Sequence, residues 1–365
     1  MKNLLKYTFA GMLLASPAFS GGWEASRLDS SMMYQDGSYA EVGTSSADYD
    51  IKGTTQAGKK HKMAKDQTRT TLGFKTQFGD FDVGLTSYRS GAIQMDGGNA
   101  HSAGCSLANL AACSVVPSAD VEVNSLALLA KYRINENMSV LGGLNRYDVS
   151  NGKVTTLLGH YVVSGDEMAP IVGAAYENKE IALRAELVMQ LETDVSLTAQ
   201  SALNPTAALS AVTGAKMVLP QTMTLNLQSG IAEDTLLFGS IHKADWKTAN
   251  ITIPQNGAVA ATGSSFSNST AYSIGLGRKL TDSLSVLGSY SMEDGGGATS
   301  TSSFTMNDGH QTLGLAARYT RDNMTITGGY SYAKVGDVKV TSSNLTSDYK
   351  DNKVTGFGFK LGFSF

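Results

Sequence analysis

Three groups of residues in this 365-residue chain are of types and spacing that could catalyse, ligate a metal or bind by charge. The five histidines, His61, His101, His160, His242 and His310, stand far apart and mostly in segments that read as loops. No Ser/His/Asp constellation can be argued from their spacing, since such triads assemble across elements, and an enzyme is not expected. The two cysteines, Cys105 and Cys113, lie close together in a polar, Gly/Ala-rich segment. In an exported chain they read first as a local loop-closing disulfide, with a metal pair beside His101 as the alternative. The third group is basic: Lys75, Lys131, Arg184, Lys279, Arg318 and Lys360. Their meaning depends on which way the elements carrying them point.

Those elements are alternating strands. In VTGFGFKLGFSF at the end of the chain, Phe357, Phe359, Leu361, Phe363 and Phe365 share one face, and Gly356, Gly358, Lys360, Gly362 and Ser364 the other. The same parity runs through Met324, Ile326, Gly328, Tyr330 and Tyr332, and through Ile181, Leu183, Ala185, Leu187, Met189 and Leu191. Alternation over about ten residues exceeds the usual globular strand and matches what a tilted strand needs to cross a bilayer. One face would meet lipid, and the other a polar interior.

The start of the chain, MKNLLKYTFAGMLLASPAFSGG, has a basic opening at Lys2 and Lys6, an apolar run and a small-x-small site at Ala18-Phe19-Ser20. It reads as a signal peptide over residues 1–20, absent from the mature protein. Nothing later is apolar for the ~18 residues that a membrane helix requires. A net charge of −3 gives no reason to expect nucleic acid, and no cofactor is implied.

Connections alternate in length. Short turns fall at 79–80, 134–137, 177–180, 232–234, 281–282 and 321–323, and longer polar or small-residue stretches at 54–66, 96–119, 152–168, 194–215, 250–265, 294–309 and 341–352. Six turns and seven loops imply fourteen antiparallel strands over residues 38–365, preceded by a short segment, 21–37. This is the pattern of an all-β, closed outer-membrane barrel with periplasmic turns and extracellular loops. Carrying the parity through points all six basic residues inward on the turn side, where they would either attract a carboxylate or pair with Asp29, Asp36, Glu186 and Glu192. Two of the loops are unusually apolar, with Leu157, Leu158, Tyr161, Val162 and Val163 in one and Leu203, Leu209 and Val212 in the other. Apolar surface of that kind marks a binding site for a hydrophobic solute, or packs the loops over the barrel mouth. A general diffusion porin for small hydrophilic solutes is the rival reading, and it would lack both the apolar loops and a plug.

Three segments resemble the FadL-type transporters of long-chain fatty acids and hydrocarbons: LDSSMMYQDGSYAEV at 28–42, LPQTMTLNLQSGIAEDTLLFGSIHKADW at 219–246, and the closing GFKLGFSF. The resemblance implies a fourteen-stranded barrel plugged by an N-terminal hatch, which takes up hydrophobic molecules passively and releases them sideways at a kink in strand three. Here that kink falls at Arg89-Ser90-Gly91, where strict alternation would aim Arg89 at lipid unless a bulge intervenes. Carboxylate-holding basic residues are part of the family pattern, and Arg146 on strand five is the nearest match, beside Arg184 and Lys360 on the inward faces. The hatch is shorter than usual and lacks the family's Asn-Pro-Ala signature. Fatty acids are the expected substrate class, aromatic hydrocarbons the alternative, with outer-membrane lipid and lipopolysaccharide as surroundings and the barrel-assembly machinery as the partner in biogenesis.

Overall fold

Period-two patterning closes on itself in the computed structural model. It describes residues 18–20, 23–25, 27–156, 159–202, 208–249, 251–255, 258–262, 265–342 and 344–365. The barrel strands are β1 (Tyr39–Asp50), β2 (Gln67–Phe78), β3 (Phe81–Asp96), β4 (Ser118–Arg133), β5 (Met138–Thr156) and β6 (Gly159–Asn178). They continue as β7 (Leu183–Gln190 and Thr193–Ala202), β8 (Thr213–Leu219 and Thr222–Ala232), β9 (Thr235–Ala244) and β10 (Ser269–Lys279). The last four are β11 (Leu284–Glu293), β12 (His310–Arg321), β13 (Met324–Val335) and β14 (Lys353–Ser364). Each pairs antiparallel with its neighbours, and β14 returns to β1 through Lys353↔Asp50 to Ser364↔Tyr39, so the ring closes. Closure satisfies the backbone groups that hydrocarbon cannot hydrogen-bond.

The outer face is apolar. Leu315 is 66% exposed and Phe357 63%, values that a water-facing sheet would not tolerate in a continuous band. The band is shorter than the wall. Along β6 the outward residues Tyr176, Ala174, Val172 and Met168 give way to Asp166. At ~3.3 Å per residue the 20 residues of β6 extend well past an apolar belt of ~25 Å. β5 and β6 thus rise beyond the membrane on the long-loop side, where the alternation persists without the apolar outer face.

Two expected loops are therefore largely wall. Residues 152–156 and 159–168 belong to the paired ends of β5 and β6, and 194–199 pair with 213–218 at the ends of β7 and β8. Over the long-loop end, Thr299–Ser300, Val338–Ser342, Leu345–Tyr349, Lys52–Thr55 and Lys60–Lys62 assemble into a second, five-stranded sheet. Its Ile51, Met63, Val340 and Tyr349 join one hydrophobic cluster with Val121, Val149 and Leu197 inside the barrel. At the turn end the interior is filled by Ser31–Tyr34, one 3-10 turn whose Met32 and Met33 pack on Leu129, Leu141 and Ile171. Inward Gly73 and Gly84 make that approach possible: a Cβ at Gly84 would sit 2.5 Å from the Met33 sulfur.

Candidate functional site

Polarity inside the barrel changes along its axis. At the turn end, Asp82 is fully buried and pairs with Lys75 at 2.6 Å, with Lys131 at 3.5 Å and with Arg133. Lys75 also donates to the Gln35 carbonyl at 2.5 Å, which ties the hatch to the wall. Lys360 lies 3.2 Å from Asp29 of the hatch and 3.2 Å from Glu41 of β1. Glu186 accepts from Ser30 and Tyr34, each at 2.8 Å, and from Asn226 at 2.9 Å. The Tyr34 ring is held between the Lys131 ammonium, 4.1 Å from its centroid, and the Arg184 guanidinium, at 4.2 Å. Burial, and after it the Glu186 carboxylate, push the Tyr34 hydroxyl far above its ordinary value, so it remains a donor. Lys279 pairs with Asp282 at 2.8 Å, and Arg318 faces Tyr39 and Glu41.

Of the two roles open to the basic residues, pairing is the one in place: Lys75, Lys131, Arg184 and Lys360 are engaged with the hatch or with acids of the wall. Arg146 stands outside the lumen. It is an outward residue half exposed to solvent, paired with Asp166 at 3.2 Å. The alternation that makes Tyr147 and Asn145 face inward points Arg146 out.

Above the hatch, apolar residues of β3 to β7 face inward. Ile93, Met95, Val121, Val149, Val163 and Leu197 belong to one buried cluster. Tyr161 is buried in the wall extension rather than exposed on a loop, whereas Leu209 is exposed. Leu157, Leu158 and Leu203 lie outside the described residues. Cys105 and Cys113 are joined by a disulfide, which uses both thiols and leaves His101 beside them without a thiolate pair. The His101 Nδ1 accepts the Ser114 N–H at 2.8 Å, and burial followed by the charge of Lys59 lowers this imidazole's pKa.

On β3 the register slips between Arg89 and Gly91, a bulge at the position where alternation had put Arg89 toward lipid. Arg89 is drawn into the wall instead, bonding Glu122 at 2.7 Å and Gln67. The β2–β3 pairing ends at Leu72↔Ser87 and contact resumes at the Ala64↔Met95 bridge. The β3 edge between them is taken up by the short strand Trp23–Ala25, through Glu24↔Ala92 and Ala25↔Gly91. The site thus comprises a buried apolar cluster, a polar hatch on its turn side and an interruption in the wall beside it.

The same architecture occurs in the crystal structure of a Pseudomonas aeruginosa FadL homologue, with a TM-score of 0.72 and 14% identity, covering 96% of this chain and 98% of that one. The fold is the FadL-type barrel. Another structure of this kind is the Pseudomonas putida toluene transporter TodX, with a TM-score of 0.66, 14% identity and coverage of 96% of this chain and 98% of that one. The Ralstonia pickettii toluene transporter TbuX aligns over 100% of both chains with a TM-score of 0.62 and 12% identity. The sequence matches no protein-family model and no curated protein. These neighbours are transporters, and what the likeness carries over is the FadL-type fold.

Proposed function

We propose that this chain is a FadL-type transporter of the bacterial outer membrane, exported with residues 1–20 as a cleaved signal, which admits hydrophobic molecules without an energy source. Long-chain fatty acids are the first substrate class. The carrying observation is the division of the lumen: a buried apolar cluster that includes Ile93, Met95 and Val121, which we read as the lining of an apolar chamber, lies on the loop side of a hatch tied down by Glu186 and Lys360. An apolar solute gains by leaving water for the chamber, whereas a sugar or ion would lose hydration there without replacement. That argues against a general porin.

The solute enters from the loop end, occupies the chamber and leaves sideways at Arg89–Gly91 once Trp23–Ala25 moves off the β3 edge. Lateral release into lipid spares it a second passage through water. Supporting this route are the bulge, the interrupted β2–β3 pairing and the small area of edge that the N-terminal strand covers. A second reading, an aromatic-hydrocarbon channel, draws on the toluene transporters of the same fold. Uptake of labelled hexadecanoic acid, toluene and a disaccharide in cells with and without the protein decides among the three. Faster disaccharide entry with the other two unchanged refutes the proposal.

A further inference from the structure

On the side of the barrel formed by β8 to β12 the interior is polar, in two rows that backbone pairing brings to the same height. The upper row is Thr224, His242, Ala271, Glu293 and His310, each the cross-strand partner of the next. The lower is Asn226, Ser240, Ser273, Ser291 and Thr312. All of them sit at inward positions of the alternation. Some are internally satisfied: Thr224 with the His242 Nδ1 at 2.8 Å, and Ser240 with Ser273 at 2.8 Å.

Others are not. Among the described residues, the His310 Nδ1, the Thr312 hydroxyl and the Asn307 amide nitrogen are buried without a hydrogen-bond partner. His310 is 6% exposed and Thr312 3%. Leaving His310 and Thr312, neighbours on the inward face of one strand, both unmade costs enough that a partner is called for. The apolar chamber adjoins them. His310 and Thr312 are the cross-strand partners of Val335 and Ala333, both members of its cluster. A molecule with an apolar body in the chamber would present its end to these groups.

Charge indicates what that end is. A cation, Arg27 of the hatch, approaches the panel, donating to Ser240 at 3.5 Å and interacting electrostatically with both histidines. An anion, Glu293, offsets it. One cation against one anion leaves no net charge between Arg27 and Glu293, and imidazole and hydroxyl offer donors and acceptors together, which suits a hydroxyl or protonated carboxyl better than a carboxylate.

Resting on the uptake reading above, we infer that His310, Thr312 and Asn307 form a head-group site for long-chain molecules with a neutral hydroxylic head: an alcohol or a protonated fatty acid. The test is equilibrium binding of tritiated 1-dodecanol, dodecane and dodecanoic acid to the full-length protein in lipid nanodiscs, with empty nanodiscs as the blank. Dodecanol is expected to bind more tightly than dodecane, and His310→Leu and Thr312→Val each to weaken dodecanol about tenfold while leaving dodecane unchanged. Dodecanoic acid should bind better as pH falls and its carboxyl protonates. Glu293→Gln should then admit the ionised acid at high pH. Folding of each variant is checked by the heat-dependent gel shift of an intact barrel. Equal binding of dodecanol and dodecane, or variants indistinguishable from the parent, means the panel holds water only and overturns the inference while leaving uptake standing. Stronger binding of the acid as it ionises also overturns it. No binding of any of the three overturns the uptake reading as well.

Discussion

Replacing Asp82 by asparagine tests whether the turn end of the barrel is held by charge. Asp82 and Lys75 are both completely buried, so their 2.6 Å contact has no solvent screening to weaken it. The substitution would leave Lys75, Lys131 and Arg133 facing a neutral amide, with the Gln35 and Gly79 carbonyls, the Tyr34 ring and the Glu177 charge near Lys131 among the remaining partners. Breaking a buried pair by removing one member costs about 3–5 kcal/mol, because the other charge stays buried. The remaining carbonyl contacts put this case near the lower figure, about 3 kcal/mol. With a urea slope of about 1–3 kcal/mol per molar, the unfolding midpoint of the D82N barrel in lipid vesicles should fall by about 1 M or more, followed by tryptophan fluorescence. Lys75→Met added to D82N removes the stranded ammonium and should recover most of the loss. A D82N barrel unfolding at the parent midpoint, or a double variant less stable than the single one, would refute the reasoning.

Leu315→Arg puts a guanidinium at an outward position 66% exposed on β12 and should cost about 2–4 kcal/mol of folding into vesicles if near the bilayer midplane, with no such penalty if that face meets water. Glu186→Ala removes the acceptor shared by Ser30, Tyr34 and Asn226, so the hatch should loosen and planar bilayers should show a steady ion current that the parent lacks. The His101 loop should be sensitive to acid. Its lowered pKa means the unfolded segment, with an imidazole near 6.5, takes up a proton first, so stability is complete above that value and falls as pH drops through it toward the folded value. Limited proteolysis should accordingly cut residues 97–117 faster at about pH 5 than at about pH 8, and equal rates would remove His101 from the account.

The barrel was legible because its rule is local. Parity at 181–191, 324–332 and 357–365 assigns lipid and lumen faces from neighbouring residues alone, and the alternation of short turns with long connections yields fourteen strands. Past the membrane the same alternation is easy to misjudge: residues 152–168 are apolar because Val154, Tyr161 and Val163 still face inward, yet they read as a greasy loop. The polar panel was hidden for the opposite reason. The histidines read as scattered and mostly in loops, and only the register β9–β10–β11–β12 places His242 and His310 in one row with Glu293. Arg146 shows the same limit, since one residue of misalignment turns a lumen cation into a surface one. Cross-strand neighbours come from distant parts of the chain, and parity alone does not fix their heights.

The arrangement also orders the two ways out of the chamber by cost. Leaving through the hatch means separating Lys360 from Asp29 and Glu186 from Ser30 and Tyr34, contacts made in a buried setting where each unpaired partner is expensive. Leaving at the β3 bulge means displacing two backbone pairs of the Trp23–Ala25 strand and turning Arg89 from Gln67, with the Glu122 pair free to persist at the wall. Ile93 and Met95 line the inner side of that stretch, so an acyl chain keeps apolar contact until it reaches the opening. The proposed lateral route therefore demands less disruption than the axial one. A barrel whose hatch is covalently tethered to β7, but whose first residues are free, should still take up a hydrophobic substrate, whereas tethering residue 24 to Ala92 should stop it.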